Sequence, residues 1–288
     1  MKQQFIINER LADIGDFTVG RLLPVRQKRQ VGPITFLDHM GPVEMGSGRY
    51  MDVDQHPHIG LATLTYLFEG MIEHKDSLGS LQLVKPGDVG FMTAGQGITH
   101  TERTPAHLRN GKKIPMHGYQ VWIALPLDKE EMAPAFEFVS KNDLPVRNEN
   151  GTTLTMIAGS GFGMASPVHV HSPMFIVDVN AEENTTLSLD GELEGEMAIA
   201  VAHGAAALND VIVDPRQMLV STEVKGIRLE LKAGTRALLL GGKPFEQERY
   251  LLWNFVSSSK ERLQKAKADW ESKRFPKVPG DNTYVPIP

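Results

Sequence analysis

The sequence predicts an all-β protein made of two β-barrels, with one helix near its C-terminal end. Short runs of strand length, apolar or alternating and bounded by Gly, Pro or Asp, recur along the chain. Regular short strands with turn signals are typical of a sandwich or a barrel. The clearest predicted strands are 61–68, 81–84, 89–92, 119–125, 175–179, 197–201, 211–213, 227–231 and 237–240.

A short internal repeat indicates that the two barrels are of one type. Residues 83–95 and residues 231–242 both read as strand, glycine turn, strand and glycine. A chain of 288 residues is long enough for two ordinary domains. The polar stretch 128–150 separates the two halves. We therefore predict a first domain over residues 1–135 and a second over residues 136–288.

One helix is predicted after the last strand. Ser258 and Glu261 have the spacing of a capping box, in which hydroxyl and carboxylate each satisfy a free backbone N–H. Three apolar residues then recur at helical spacing, and two prolines follow: Leu263, Ala266, Trp270, Pro276 and Pro279. We interpret this helix as a packing element of the second domain, followed by an extended tail.

Composition and charge exclude several classes of protein. The net charge of -5 argues against a surface for nucleic acid or anionic membranes, which needs clustered Lys and Arg. No run approaches the ~20 apolar residues of a membrane span, and the apolar patch at the N-terminus is too short for a signal peptide. We therefore expect a cytoplasmic protein without membrane contact. The chain has no cysteine, so nitrogen and oxygen must hold any metal.

Two pairs of side chains carry the strongest functional signal. His56 and His58 are two residues apart, as are His100 and Glu102. In a strand, residues i and i+2 point to the same face, so each pair can aim at one point. Three imidazoles and a carboxylate suit a divalent metal such as Fe, Mn, Ni, Cu or Zn, and an octahedral ion keeps open positions for chemistry. The alternative is that these are unrelated surface or loop residues.

The segments around these pairs closely resemble the pirin family. The match covers about the first 125 residues, and the region after Trp253 is similar to bacterial pirin-related proteins. The residues that carry the resemblance are HPHIGLATLTYLFEG at 56–70, His74-Lys-Asp-Ser77, Pro86-Gly-Asp88 and MTAGQGITHTE at 92–102, with Phe36-Leu-Asp-His39 upstream and residues 118–126 downstream.

The resemblance implies a bicupin, with two double-stranded β-helix (jelly-roll) barrels in one chain and a C-terminal helix. It also implies one metal ion, usually iron, in the N-terminal barrel. The family ligands fall on His56, His58, His100 and Glu102. In the commonest cupin pattern the carboxylate closely follows the first histidine pair, but Thr63 stands in that region here. Glu102 must then supply the oxygen.

The second barrel is expected to be free of metal. We place its counterpart of the His100 segment near residues 242–246, which contain no histidine. His169 and His171 form a further i, i+2 pair in this half, and no partner pair is identifiable. Ordinary polar contacts are the favoured interpretation of these two residues.

The resemblance implies an enzyme or a regulator. Some pirins resemble quercetin 2,3-dioxygenases, so the favoured function is an Fe(II)-dependent dioxygenase of flavonol- or catechol-like aromatic substrates, with Glu102 as the base. The alternative is an iron-dependent redox-sensing regulator, which needs a protein partner because the net charge argues against direct nucleic-acid binding. A cupin with a vestigial or structural metal is disfavoured by the intact ligands.

Several residues near the motifs have two interpretations each. His74, Asp76 and Gln96 could orient a ligand or a substrate, because metal-bound imidazoles usually donate their other N–H to an acceptor. They could equally face water. Asp38 and His39 could line the rim of the pocket or cap a loop. Four large apolar residues nearby are expected in the core: Phe36, Phe91, Met92 and Trp122.

Overall fold

The computed structural model describes residues 4–14 and 17–288, and most of them lie in short β-strands. The strands of the first half are β1 (Gln4–Asn8), β2 (Arg10–Asp13), β3 (Thr18–Leu23), β4 (Ile34–Met45), β5 (Asp52–His58), β6 (Leu61–Glu69), β7 (Ile72–Asp76), β8 (Leu81–Val84), β9 (Val89–Thr93), β10 (Ile98–Arg103), β11 (Ile114–Ala124) and β12 (Ala135–Val139). Short 3-10 turns lie at Ala106–Leu108, Leu127–Lys129 and Lys141–Asp143.

The second half continues with strands of similar length. They are β13 (Val146–Glu149), β14 (Thr152–Gly161), β15 (Met164–Ala165), β16 (Met174–Ala181), β17 (Thr185–Ser188), β18 (Glu196–His203), β19 (Ala206–Leu208), β20 (Val211–Val213), β21 (Gln217–Ser221), β22 (Arg228–Leu231), β23 (Thr235–Gly242), β24 (Tyr250–Leu252) and β25 (Phe255–Ser257). Helix α1 spans Lys260–Glu271.

Strands β4 to β11 form the first barrel. One sheet has the order β5-β10-β7-β8, and the other contains β9-β6-β11-β4. Ile72 of β7 belongs to one buried cluster with Leu67 of β6 and Met116 of β11, so the two sheets share an interior. This apolar cluster fills only part of that interior, because His56, His58 and His100 are buried in the same barrel.

Strands β16 to β23 form the second barrel. One sheet has the order β17-β22-β19-β20, and the other contains β21-β18-β23-β16. A large buried cluster of aliphatic and aromatic side chains fills this barrel, with Leu187 of β17 and Leu229 of β22 among them. Burial of this apolar surface is the main source of its stability.

The two barrels have the same topology. Counted from its own first strand, each has the order 2-7-4-5 in one sheet and 6-3-8-1 in the other. This common order confirms the predicted bicupin fold of two jelly-roll barrels.

The two segments of the internal repeat fall on strands that are not equivalent in the two barrels. Residues 83–95 cover β8 and β9, the fifth and sixth strands of their barrel, whereas residues 231–242 lie on β22 and β23, the seventh and eighth. The counterpart of β10, which carries His100, is therefore β22. The prediction that this counterpart lies near residues 242–246 was wrong. Strand, glycine turn and strand describe most hairpins, so this pattern cannot tell one hairpin from another.

The chain divides into two compact units, and each unit is built from three separate segments of the sequence. The unit of the first barrel contains Leu11–Gly20, Leu37–Lys141 and Glu246–Pro288, and the unit of the second contains Met1–Arg10, Arg21–Phe36 and Asn142–Phe245. A single boundary at residue 135 does not describe the two ends of the chain, because the N-terminal strand belongs to the unit of the second barrel and residues 246–288 belong to that of the first. Strand β1 pairs with β21 of the second barrel. Helix α1 packs in a cluster with Ile59, which follows β5 of the first barrel.

Helix α1 begins one residue later than the predicted capping box. Its N-cap is Ser259, whose Oγ accepts a hydrogen bond from the backbone N–H of Arg262. Ser258 instead bonds to the carboxylate of Glu130. The predicted buried face of Leu263, Ala266 and Trp270 is confirmed. No helix in the described part of the chain is long and apolar enough to cross a bilayer.

Candidate metal centre

Strand pairing brings the three histidines together. Strand β10 lies between β5 and β7, with His100 opposite His56 and Ile98 opposite His58. Because alternate residues share a face, all three rings point into the first barrel, where they are buried. Each offers a ring nitrogen, and these nitrogens lie within 4.8 Å of one another. The side chains of His56 and His58, which the i, i+2 spacing places on one face, therefore meet that of His100 inside the barrel.

Backbone carbonyls fix the tautomers of the first two histidines. Nδ1 of His56 lies 2.7 Å from the carbonyl oxygen of Asp54, and Nδ1 of His58 lies 3.1 Å from that of Asn254. A carbonyl only accepts, so each Nδ1 must carry the proton and donate it. In the neutral rings Nε2 is then unprotonated and free to bind a cation.

A chain of two side chains does the same for His100. Nε2 of His74 lies 3.0 Å from Oδ2 of Asp76, and its Nδ1 lies 3.4 Å from Nδ1 of His100. Since the carboxylate accepts from Nε2–H of His74, the other nitrogen of that ring has a lone pair that can accept from Nδ1–H of His100. Nε2 of His100 is left unprotonated.

The facing nitrogens fit a metal ion better than they fit each other. Nε2 of His58 and Nε2 of His100 are 3.1 Å apart. With the tautomers fixed by Asn254, His74 and Asp76, neither nitrogen has a proton to share, and two lone pairs at this distance repel. A divalent cation between them removes that repulsion, so the three-histidine site indicates a divalent metal.

Burial keeps the three rings neutral. Desolvation lowers the pKa of His56 to about 4, with the Asp54 carbonyl acting in the opposite direction. Desolvation also lowers the pKa of His58 and His100 well below the usual value, and their neighbouring histidines add to the effect. Burial alone would raise the pKa of Asp76, but hydrogen bonds from His74 and Ser80 outweigh it, so the net pKa is lowered. Asp76 is thus an acceptor at neutral pH.

Glu102 lies beside the histidines and is held by other groups. The register of β10 against β5 shifts between His100 and Glu102, as at a β-bulge. Oε1 of Glu102 lies 3.2 Å from the hydroxyl of Thr65, which is also 2.8 Å from Oε1 of Gln120. Burial raises the pKa of Glu102, and His74, Thr65 and Gln120 act in the opposite direction. The carboxylate is outside the three-histidine group, so its role as a ligand stays a prediction.

Aromatic and apolar side chains border the centre. The ring of Trp122 lies 5.0 Å from that of His58, edge to face, and Phe136 stacks on His74 at 4.2 Å. Trp122 is buried as expected, but it also contacts a ligand candidate. A narrow recess beside His74 is lined by polar and apolar residues: Thr63, Thr65, Ile72, Val84, Gly90, Met92 and Phe136.

The other predicted residues divide into those that reach the site and those that do not. His74 and Asp76 are buried beside His100, which excludes a water-facing turn and leaves the orienting interpretation as the prediction. Gln96 is exposed, and its carbonyl accepts from Arg262. Asp38 and His39 are buried within β4, so neither caps a loop. The Nε2 atom of His39 lies 2.9 Å from the Nε2 atom of His117.

Sequence reasoning missed several groups that hold the ligands. Thr65 and Gln120 lie in strands predicted from apolar residues, and a polar residue on the inner face of such a strand is the signal that could have found them. The carbonyl of Asn254 carries no signal, because every residue has one.

The second barrel has a facing pair of leucines in the two strands that correspond to the histidine-bearing strands of the first. In the equivalent strands β17 and β22, Leu187 lies opposite Leu229, and both are buried. His169 and His171 lie in the loop between β15 and β16. The expected absence of metal from this barrel stays a prediction, and the leucines are its physical reason.

Comparison with known proteins places the chain in a family. The Pirin family model matches residues 16–123, and the model described as the Pirin C-terminal cupin domain matches residues 176–276. The chain belongs to the pirin family. A pirin-like protein of Caulobacter vibrioides is 42% identical over 98% of this chain and 98% of its own.

Solved structures share the fold of this pirin-family chain. A crystal structure of quercetin 2,3-dioxygenase from Acinetobacter baumannii has a TM-score of 0.91 and 40% identity, covering 100% of this chain and 95% of its own. A bacterial pirin of Escherichia coli in complex with nickel(II) has a TM-score of 0.65 and 20% identity, covering 84% of this chain and 100% of its own. At that identity the second structure shows the shared fold alone.

Proposed function

We propose that this member of the pirin family is an Fe(II)-dependent dioxygenase acting on flavonol- or catechol-like aromatic substrates. One observation carries the proposal: three buried neutral imidazoles converge on one point, with a buried carboxylate beside them that belongs to a different hydrogen-bond network. His56, His58 and His100 would hold the ion, and Glu102 would be a fourth ligand that can leave. Iron held there would supply Lewis acidity and a site for dioxygen.

Glu102 is the proposed base for the acidic hydroxyl of the substrate. Burial raises its pKa, which makes its carboxylate a stronger base than that of an exposed glutamate. Thr65 and Gln120 both contact its carboxylate through hydrogen bonds, so it can accept a proton without losing its position. Trp122 and Phe136 border the centre with apolar surface. The exclusion of water there strengthens the electrostatic interaction between Glu102 and the substrate hydroxyl.

The relatives support this choice of reaction. The Acinetobacter baumannii structure is that of a quercetin 2,3-dioxygenase, and its match covers the whole of this chain at 40% identity. Quercetin is a flavonol, which makes the flavonol class the first to test. Mn, Ni, Cu and Zn also bind imidazole and carboxylate ligands, so iron is the proposed metal and the others are the alternatives to test. The redox-sensing alternative stays a prediction that needs a protein partner.

The test is turnover of the metal-loaded protein. Tag-free protein is loaded anaerobically with Fe(II), mixed with a panel of flavonols and catechols, and exposed to air while substrate loss and oxygen uptake are measured. We expect consumption of oxygen with at least one flavonol. Absence of turnover across the panel, with iron bound, would contradict the proposal.

Two variants separate the roles of the residues. His56→Ala should lose both iron and turnover. Glu102→Gln should lose turnover by about 100-fold, the size of a typical general-base contribution, while it retains iron on the three histidines. A Glu102→Gln variant with unchanged turnover would exclude Glu102 as the base.

A further inference from the structure

We infer that the C-terminal tail, residues 278–285, is a positioning element of the metal centre. It binds both strands that carry the candidate ligands, at the residues next to those ligands, and so sets the affinity and geometry of the site. The inference rests on the proposed metal centre. No sequence motif assigns a function to this tail.

The tail captures Gln55, the residue before His56. Every polar group of Gln55 is bonded to the tail. Its backbone N–H donates to Oγ1 of Thr283 at 3.0 Å, and its carbonyl accepts from the N–H of Val285 at 3.0 Å. Its side-chain Nε2 donates to the carbonyl of Thr283 at 2.8 Å, and its Oε1 accepts from the N–H of Val278 at 2.7 Å. Gln55 is buried by this contact.

The tail also holds Arg103, the residue after Glu102. The guanidinium of Arg103 donates to Asp281 at 2.7 Å and to Oγ1 of Thr283 at 3.0 Å. It donates as well to Asp54 of β5 at 2.8 Å. The hydroxyl of Thr283 is therefore shared by the two ligand strands, because it accepts from both Gln55 and Arg103.

These contacts lie on the face of each strand opposite to the ligands. The side chains of Gln55 and Arg103 bond to the tail, whereas those of His56 and Glu102 are buried at the metal centre inside the barrel. Strand β5 is also the last strand of its sheet, and the tail bonds both backbone groups of Gln55 on that free edge. The tail thus fixes the backbone from which the ligands project.

A second part of the C-terminal region reaches a ligand directly. The carbonyl of Asn254, in the turn between β24 and β25, accepts from Nδ1 of His58. The C-terminal region therefore acts on His56 and Glu102 through their neighbours and on His58 by direct contact. Groups that orient metal ligands from outside typically change metal affinity by about 10- to 100-fold when removed.

The test uses Thr283→Val in the full chain, which keeps the shape of the side chain and removes the shared hydroxyl. Thr283→Ser restores the hydroxyl, and Asn282→Ala changes the exposed neighbouring side chain. The metal-free proteins are titrated with Co(II) against a competing chelator, and the visible spectrum of bound Co(II) reports the ligand geometry. The thermal midpoint of each metal-free protein is measured in parallel.

We expect Thr283→Val to bind Co(II) about tenfold more weakly, with an altered spectrum. Thr283→Ser and Asn282→Ala should match the unmodified protein in both. If Thr283→Val does not fold, Asp281→Asn weakens the contact with Arg103 and should move affinity in the same direction by less. Unchanged affinity and spectrum in the folded variants would overturn the inference and leave the metal centre intact. Failure of the unmodified protein to bind Co(II) would overturn both.

Discussion

The histidines of the centre owe their readiness for a cation to the groups behind them. His56 and His58 donate to backbone carbonyls, whereas His100 depends on two side chains, His74 and Asp76. A carbonyl cannot change its role from acceptor to donor, but a carboxylate can be replaced by an amide. The tautomer of His100 is therefore the one that a single substitution can change.

Replacing Asp76 by Asn should disturb that tautomer. An amide can donate to Nε2 of His74, which would move the proton of that ring toward His100 and remove the acceptor for Nδ1–H of His100. We expect Co(II) affinity about 10- to 100-fold weaker by chelator competition. The control is Asp128→Asn, an exposed aspartate of the same unit. Equal affinity in Asp76→Asn and the unmodified protein would show that the chain of bonds does not orient His100.

The metal-free protein should lose stability as the pH falls from 6.5 toward 4. The pKa of His56 is about 4 in the folded state and ordinarily 6.5, so in this window the unfolded chain binds a proton that the folded one does not. His56 alone then costs about 2 kcal/mol at pH 5, and His58 and His100 act in the same direction. Glu102, with its raised pKa, acts in the opposite direction.

Urea unfolding of chelator-treated protein at pH 7 and pH 5 measures this effect. The decrease in stability should be smaller in His56→Gln, which removes one of the titrating groups. A free energy of unfolding that rises on acidification would contradict the burial of neutral rings.

At the scale of elements, a buried ion pair attaches the C-terminal region to its unit. The carboxylate of Glu130 lies 2.8 Å from Nε of Arg249 and also accepts from Ser257 and Ser258, just before helix α1. Both charged side chains are buried. A buried pair of this kind is costly to break, because the remaining charge has no solvent to stabilise it.

Glu130→Gln should destabilise the protein by about 3 kcal/mol, because it leaves the Arg249 guanidinium buried without its carboxylate. The adjacent Glu131 provides the control, since its carboxylate is exposed although it pairs with Arg262. Glu131→Gln should cost less than about 1 kcal/mol. Urea unfolding compares the two, and equal losses would show that burial of the Glu130 pair is not what stabilises this junction.

Local sequence patterns predicted the features that depend only on residues close together in the chain. The i, i+2 pairs on β5 and β10 and the helical spacing of α1 are visible within a few residues, and the structure has them. An Asn-Gly pair, which is typical of a tight hairpin turn, also occupies residues 150–151, where both residues have positive φ and join β13 to β14. The N-cap was misplaced by one residue, since Ser258 and Ser259 are chemically the same and only the bond to Glu130 distinguishes them.

Over the whole molecule, one topology occurs twice with different interiors. The first barrel has His56 and His100 opposite each other, and the second has Leu187 and Leu229 in equivalent strands. The sequence predicted the ligand candidates because they lie in two short motifs. It could not predict that Gln120 and Asn254 contact these residues, or that Thr283 contacts their neighbours in the chain, because such contacts depend on the order of strands and the path of the tail.

The central claim is that His56, His58 and His100 of the first barrel hold a single divalent metal ion. The most direct measurement is elemental mass spectrometry of tag-free protein, of His100→Ala and of the control His169→Ala, whose histidine lies in a loop of the second unit. We predict about one metal ion per chain in the unmodified protein and in His169→Ala, and its loss in His100→Ala. A metal-free unmodified protein, or a His100→Ala variant that keeps its metal, would contradict the account.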